Sequence, residues 1–116
     1  MLEEDVKISK IFTFLGLTKA SSQILTLLAR APALSITELG KETGLSKPVI
    51  SNAIHSLTVL NWLQREGNKF NMRYSLSMSI FSIINQLAME KIDQHRDNML
   101  KIQELVTAFE DNLPET

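Results

Sequence analysis

A run of short polar side chains follows Gly44 along the chain. Helical phasing from Leu45 puts Ile50, Ile54 and Leu57 on one inward face. The opposite face then presents Ser46, Lys47, Pro48, Ser51, Asn52, His55 and Ser56. Serine and asparagine can donate hydrogen bonds to phosphates or base edges, asparagine can pair bidentately with adenine, and lysine neutralises phosphate. This face therefore has the chemistry needed to contact a nucleic acid.

The same face could also be an ordinary solvated helix surface. No acidic residue occurs between Gly44 and Gln64, although acids are common on solvated helices, and this favours nucleic-acid contact. His55 leaves more choices open. Because no second histidine lies nearby in sequence and the chain has no cysteine, a phosphate or base contact, or a plainly exposed histidine, is favoured over a metal ligand or a pH switch.

A predicted β-hairpin follows this helix, with strands over 62–66 and 72–76 around the turn residues Gly67 and Asn68. We predict that residues 64–74 form a wing on the DNA backbone or in the minor groove. Its expected phosphate contacts are Arg65, Lys69 and Arg73. Alternatively, the hairpin covers the core with Trp62, Phe70 and Tyr74. Both roles are compatible, since alternate side chains of a strand point to opposite faces.

The elements that must position these residues are mostly helical. Apolar periodicity predicts one helix over 3–15. A second predicted helix begins after an N-cap at Thr18 and is stopped by Pro32. A short helix capped by Thr37 ends at Gly44, which we expect in the left-handed conformation. A second helix follows over about 46–60 and ends at Asn61, a plausible left-handed cap. Two helices separated by a glycine turn are typical of a helix-turn-helix, and the hairpin adds a wing.

Residues 77–113 predict one long helix, or two that meet near 88–90. Its apolar residues alternate at spacings of three and four, which indicates a coiled-coil-like seam. The predicted dimer interface is Phe81, Asn85, Ala88, Ile92, His95, Met99, Ile102, Val106 and Phe109, continuing to Leu113. A second apolar line, Ile80, Ile83, Ile84 and Leu87, is expected to pack on the helix's own domain.

A single exposed apolar stripe on the C-terminal helix is expected to pack against another surface. We predict a homodimer formed through this helix, with helix 3–15 contributing to the interface. The alternative is a monomer whose helix folds back on its own domain. The fold class is thus mainly α with a small β-hairpin (α+β), divided into a winged helix-turn-helix domain over 1–76 and a C-terminal dimerisation helix over 77–116.

Composition excludes several classes of protein. The chain has 116 residues, no cysteine and a net charge of −1, with basic residues concentrated over 41–73 and acidic residues over 90–116. There is no paired carboxylate–histidine constellation, no glycine-rich phosphate loop and no metal-ligand spacing, so we expect neither an enzyme nor a cofactor or metal site. The acidic N-terminus does not resemble a signal peptide, and no apolar run approaches the roughly 20 residues of a membrane span. We therefore expect a cytoplasmic protein with no membrane partner.

Several stretches resemble a known group of regulators. They are Leu15-Gly16-Leu17-Thr18-Lys19, Ser35-Ile36-Thr37-Glu38-Leu39-Gly40, and the run Thr43-Gly44-Leu45-Ser46-Lys47-Pro48-Val49-Ile50-Ser51-Asn52-Ala53-Ile54-His55-Ser56-Leu57. Over residues 12–76 the chain looks like the winged-helix domain of the TrmB and MarR families, and its Leu-Gly-Leu-Thr run is most like TrmB and its archaeal relatives. The resemblance implies a dimer whose recognition helix enters the major groove while the hairpin touches the backbone. The chain departs from the pattern at Asn61, commonly glycine, and in a recognition face whose only base is Lys47.

The expected function is sequence-specific binding of double-stranded DNA in transcriptional regulation. TrmB proteins carry a large sugar-binding domain that this sequence does not contain, so a small-molecule effector is not supported. The alternative is a winged helix used for protein–protein contact in a transcription or repair assembly. The low net charge favours that alternative, as do Val49, Val59 and Leu60, which lie outside the main apolar stripe and are expected to pack on the first helices or the hairpin.

Overall fold

The computed structural model describes residues 3–112. This part of the chain forms five helices and one two-stranded antiparallel hairpin: α1 (Glu3–Phe14), α2 (Lys19–Arg30), α3 (Ile36–Thr43), α4 (Lys47–Val59), β1 (Leu63–Glu66), β2 (Arg73–Leu76) and α5 (Ile80–Asp111). The predicted class, mainly α with a small hairpin and a long C-terminal helix, is confirmed. Leu34 also forms an isolated bridge with Tyr74, so the residues before α3 extend the sheet by one pair.

The helix ends follow local chemistry that the sequence largely predicts. The Thr18 hydroxyl accepts a hydrogen bond from the Ser21 N–H at 3.2 Å and begins α2. Gly44 ends α3 in the left-handed conformation at φ 74°. Asn61 follows α4 with φ 63°, as predicted, and it is the one non-glycine residue with positive φ within residues 3–112.

The start of α3 differs from the prediction. The N-cap is Ser35 and not Thr37, and the helix begins at Ile36. The Ser35 hydroxyl accepts from the Glu38 N–H while Glu38 Oε1 accepts from the Ser35 N–H, both at 3.2 Å. This reciprocal capping box satisfies two backbone donors at once, because Ser35 has a glutamate three residues later.

The core lies between α1 to α4, the hairpin and the start of α5. Its fully buried large side chains are Phe12, Ile24, Leu25, Leu39, Ile50, Leu57, Trp62 and Ile83. The Trp62 indole N–H donates to Gln86 Oε1 at 3.2 Å and ties the first strand to α5. Ile80, Ile83 and Leu87 are buried and Ile84 is half-buried, so the predicted second apolar line does pack on its own domain.

One ionic contact holds α1 to α2. Asp5 is buried, and its Oδ2 lies 2.8 Å from Nη2 of Arg30 in the last turn of α2. The geometry at Oδ2 does not meet the angular requirement of a hydrogen bond, so the contact is an ion pair without an aligned hydrogen bond. It places the N-terminal helix against the domain beside the fully buried Phe12.

Helix α5 is a single helix of 32 residues, about 48 Å long at 1.5 Å per residue. It begins after Ser79, whose hydroxyl accepts from the Ser82 N–H. Every residue from Met89 to Asn112 is exposed, so most of the helix leaves the core. Of the predicted seam, Leu113 lies outside the described residues.

Candidate nucleic-acid interface

Helix α4 has the two faces that its sequence predicts. Ile50, Ala53, Ile54 and Leu57 are buried. The opposite side carries the candidate contact residues: Ser46, Lys47, Pro48, Asn52 and His55 are exposed and Ser51 is half-buried. Inward packing of the apolar stripe leaves these polar side chains in solvent.

The N-terminus of α4 is suited to an anion. Ser46 has the extended backbone of an N-cap, but its side chain makes no capping hydrogen bond. Pro48 falls in the first turn, which contains no acidic residue. The positive end of the helix dipole and the uncommitted Ser46 hydroxyl therefore both face solvent beside Lys47.

The hairpin brings a cation to the other end of this face. Ser51 and His55 of α4 line an open depression of about 280 Å³ together with Arg65 of β1. Its remaining lining comes from Ile36, Ile54, Thr58 and Tyr74. Thus three predicted contact residues, separated by up to fourteen positions in sequence, share one concave surface.

The hairpin tip is held by a local turn. Pairing between the strands ends at Glu66 opposite Arg73. Gly67 has φ 97°, and a Cβ there would overlap the Asn71 carbonyl oxygen, so the turn requires glycine. Asn68 Oδ1 accepts from the N–H groups of Phe70 and Asn71 at 2.9 and 3.1 Å. Lys69 is presented at this tip and is exposed.

The alternative role of the hairpin, in which Trp62, Phe70 and Tyr74 cover the core, fails at Phe70. Its side chain is 92% exposed, whereas Trp62 and Tyr74 are buried as expected. The difference arises because Phe70 lies in the tip turn beyond the last strand pair, where the alternation of side chains no longer applies. The Gly67-Asn68 pair marks this turn in the sequence, and it was the available signal for an outward Phe70.

Arg73 lies away from the depression. Its Nη1 is 3.1 Å from Glu38 Oε1 and donates to the Ala33 carbonyl at 3.1 Å, so it connects β2 to the start of α3. Its charge is offset by Glu38, and its side chain is 44% exposed. A phosphate contact by Arg73 stays a prediction, to which the structure adds a positioning contact between the wing and the helix-turn-helix.

The same carboxylate has a perturbed acidity. The pKa of Glu38 is lowered, first because the carboxylate accepts the Ser35 backbone N–H, and then through the Ser35 hydroxyl and the charges of Arg73 and Lys41; desolvation opposes the shift. The ionised form thus serves both the capping box and the ion pair to the wing.

The other three basic side chains of this surface differ from Arg73 in having no carboxylate beside them in the described part of the chain. Within residues 3–112, no carboxylate lies within 4.0 Å of the charged nitrogens of Lys47, Arg65 or Lys69. Nor does any group of three or more His, Asp or Glu side chains in this range approach closely enough to hold a metal ion. No helix in the described part of the chain has the length and apolar character to cross a membrane.

Three apolar residues on the flank of α4 are not covered as expected. Val49, Val59 and Leu60 are 43%, 67% and 47% exposed, so the first helices and the hairpin do not cover them fully as predicted. Val49 and Leu60 instead border an open groove of about 400 Å³ beside Leu17 and Ala20. Gly16, Leu17 and Thr18 of the loop between α1 and α2 line the same groove.

A helix pair around a left-handed glycine, followed by a hairpin packed on the second helix, defines a winged helix-turn-helix domain. Residues 15–70 match the family model described as MarR family. This part of the chain has the winged-helix fold and is similar to the DNA-binding domain of MarR-family transcription regulators.

Solved structures share the fold. A MarR-family transcriptional regulator from Silicibacter pomeroyi is 18% identical, with 96% of this chain and 83% of that chain covered at a TM-score of 0.57. BpsR of Bordetella bronchiseptica, whose DNA binding is regulated by 6-hydroxynicotinic acid, is 17% identical over 93% and 88%, with a TM-score of 0.55. HlyU from Vibrio cholerae N16961 is 21% identical over 74% and 94%, with a TM-score of 0.53.

A comparison with curated proteins found no significant match. The family match over residues 15–70 supports a winged-helix regulator of the MarR kind, whereas the closer likeness to TrmB and its archaeal relatives stays a prediction. The residue-level contacts to DNA also stay predictions.

Proposed function

We propose that this protein is a sequence-specific regulator of transcription that binds double-stranded DNA as a homodimer in the cytoplasm. Helix α4 would lie in the major groove, and the wing, residues 64–74, on the backbone or in the minor groove. The observation that carries the proposal is the convergence of Ser51, His55 and Arg65 on one depression beside an α4 face without acids.

Each contact has a chemical role. Asn52 lies fully on the exposed side of α4, where its amide can donate to and accept from an adenine edge. Ser46 and Lys47 at the helix start suit a phosphate, since backbone N–H groups point the same way there. In the depression, Arg65 would hold a second phosphate between helix and wing, within reach of His55 and Ser51. Lys69 would contact the backbone at the wing tip.

The proposed dimer interface is the exposed apolar stripe of α5. Phe81, Ile92, Met99, Ile102, Val106 and Phe109 are each 47–76% exposed, and Asn85 and His95 are exposed polar members of the same stripe. Ala88 is half-buried and continues the stripe towards the core. Contiguous apolar surface of this length marks an interaction site, and its 3–4 spacing fits a helix of the same kind.

Helix α1 can extend this interface. Val6, Ile11 and Phe14 are 38%, 43% and 79% exposed although Phe12 between them is buried. A second copy that covers both α5 and α1 would give two DNA-binding domains in one particle. Two linked half-sites bind more tightly than one through effective concentration, which matters for a face with so few bases.

Binding-site selection with the full chain tests the proposal, beside a measurement of its mass in solution. We expect a dimer, and a selected duplex whose two inverted half-sites lie about 10 base pairs, or a multiple, apart. The Asn52→Ala variant should lose the base preference at one position of each half-site. The matched Asn98→Ala variant on α5 should keep that preference. Failure of every duplex to enrich, even at low salt, would refute DNA binding.

The second candidate is a protein–protein module, and the exposure of Val49, Val59 and Leu60 favours it. The two candidates separate in the selection experiment. A chain that binds no duplex but whose Val49→Asp variant loses a protein partner fits only the second. We propose no small-molecule effector for this chain, although the DNA binding of BpsR is regulated by one.

A further inference from the structure

The wing ends in an apolar ring that nothing in its own domain covers. Phe70 is 92% exposed, the highest value among the large apolar side chains of residues 3–112. The backbone beneath the ring is held in place, because Asn68 Oδ1 accepts both the Phe70 and the Asn71 N–H groups. The ring is therefore presented by an ordered turn.

The surroundings of the ring are polar and cationic. The Lys69 ammonium lies 5.9 Å from the centre of the Phe70 ring. Asn68 and Asn71 flank the pair and are exposed, and the nearest acid along the chain, Glu66, lies opposite Arg73 in the strand register. A positive charge beside an aromatic face suits a polyanion that also offers apolar sugar surface and stacked bases.

A protein partner fits this tip less well. Protein interfaces cover a contiguous apolar patch, and Phe70 has no apolar neighbour in the tip sequence from Gly67 to Asn71. Minor-groove binding has the opposite requirement. It uses a single apolar wedge, such as phenylalanine, with asparagine and lysine beside it to contact the base edges and the backbone.

We infer that Phe70 is a DNA-contact residue that enters the minor groove next to the site of α4. There the ring packs on the deoxyribose and opens one base step, and Lys69 neutralises the adjoining phosphate. The inference rests on the proposed DNA binding and deepens it. It adds a preference for an easily unstacked pyrimidine–purine step at the flank of each half-site.

Fluorescence anisotropy on the duplex that the wild-type chain selects tests the role of the ring. Phe70→Ala should weaken binding roughly tenfold per half-site, as expected when an aromatic contact to nucleic acid is lost, with an unchanged slope against salt. Lys69→Ala should instead reduce the salt slope by about one unit per half-site. Phe70→Leu keeps an apolar wedge and should recover most of the affinity. Val59→Ala, an exposed apolar residue elsewhere, is the matched control and should bind as the wild type does.

A second readout reports on the base step itself. A 2-aminopurine placed at the flanking step of the same duplex should brighten when the wild-type chain unstacks it, and this rise should be lost with Phe70→Ala. Wild-type affinity and an undiminished rise in Phe70→Ala would overturn the role of Phe70 while leaving the proposed function intact. If the wild-type chain binds no duplex, the proposed function itself fails. Since the ring packs against nothing in the domain, the variant should keep the wild-type unfolding midpoint.

Discussion

Lys47→Ala is the sharpest test of how the domain holds DNA. Lys47 is the first residue of α4 and is exposed, and within residues 3–112 no carboxylate lies within 4.0 Å of its ammonium. Removing its side chain disturbs no buried contact. We therefore expect the variant to fold normally and to lose only the electrostatic part of its binding.

The size of this loss follows from the count of available cations. Lys47, Arg65 and Lys69 are three per protomer and about six per dimer, so at about 0.9 per phosphate the log–log slope of affinity against salt should be about −5. Arg73 is left out because Glu38 offsets its charge. Replacing Lys47 removes one contact from each protomer and should make the slope shallower by about 2.

The assay is equilibrium anisotropy on the selected duplex across a salt series, with Lys101→Ala as control. Lys101 is an exposed lysine on α5, away from the wing and α4, so its variant should keep the wild-type slope. A wild-type slope near zero would refute electrostatic contact by this surface. Equal effects of the two variants would refute the assignment to α4, and a slope near −7 would show that Arg73 leaves Glu38 for phosphate.

Three further outcomes are expected. Ile102→Asp puts a charge in the α5 stripe and should halve the mass of the particle in light scattering, whereas Lys101→Ala should not; an unchanged mass would remove the stripe from the interface. Because the pKa of Glu38 is lowered by folding, its ionised carboxylate contributes to the free energy of unfolding. This contribution is fully present at pH values above the ordinary pKa of 4.5 and is lost as the pH falls through the lowered pKa. In urea unfolding, the Glu38→Gln variant should not show this loss of stability at acid pH. Identical pH profiles for the wild type and the variant would contradict the prediction. Leu57→Ala empties a fully buried site and should cost about 2–5 kcal/mol in the free energy of unfolding, measured by the same method.

Much of the fold could be predicted because the signals are local. Gly44 and Asn61 adopt positive φ where turn chemistry requires it, and the Thr18 cap begins α2. The start of α3 could not be placed as firmly, since two residues, Ser35 and Thr37, both offer a capping hydroxyl. The choice depends on the glutamate three positions later, whose second hydrogen bond decides between them.

The site was predicted less completely than the fold. Exposure of the α4 face follows from helical period, and the structure agrees with it at Asn52 and His55. Whether Arg65 meets that face, and whether Arg73 is paired, depends on how the hairpin docks on the helices. Helical or strand period says nothing about such contacts, because residues forty positions apart, such as Arg73 and Ala33, are neighbours only in the folded chain.

The sequence by itself determined the order of elements, the inward face of α4 and the long apolar stripe of α5, since these depend on periodicity and on residues within one or two turns. Only the tertiary structure decided which cations are committed. It pairs Arg73 with Glu38, brings Arg65 beside His55, and leaves Phe70 in solvent at the wing tip. The physical reason is that charge pairing and burial depend on distances between elements, and these distances are set by the packing of the whole core around Trp62 and Leu57.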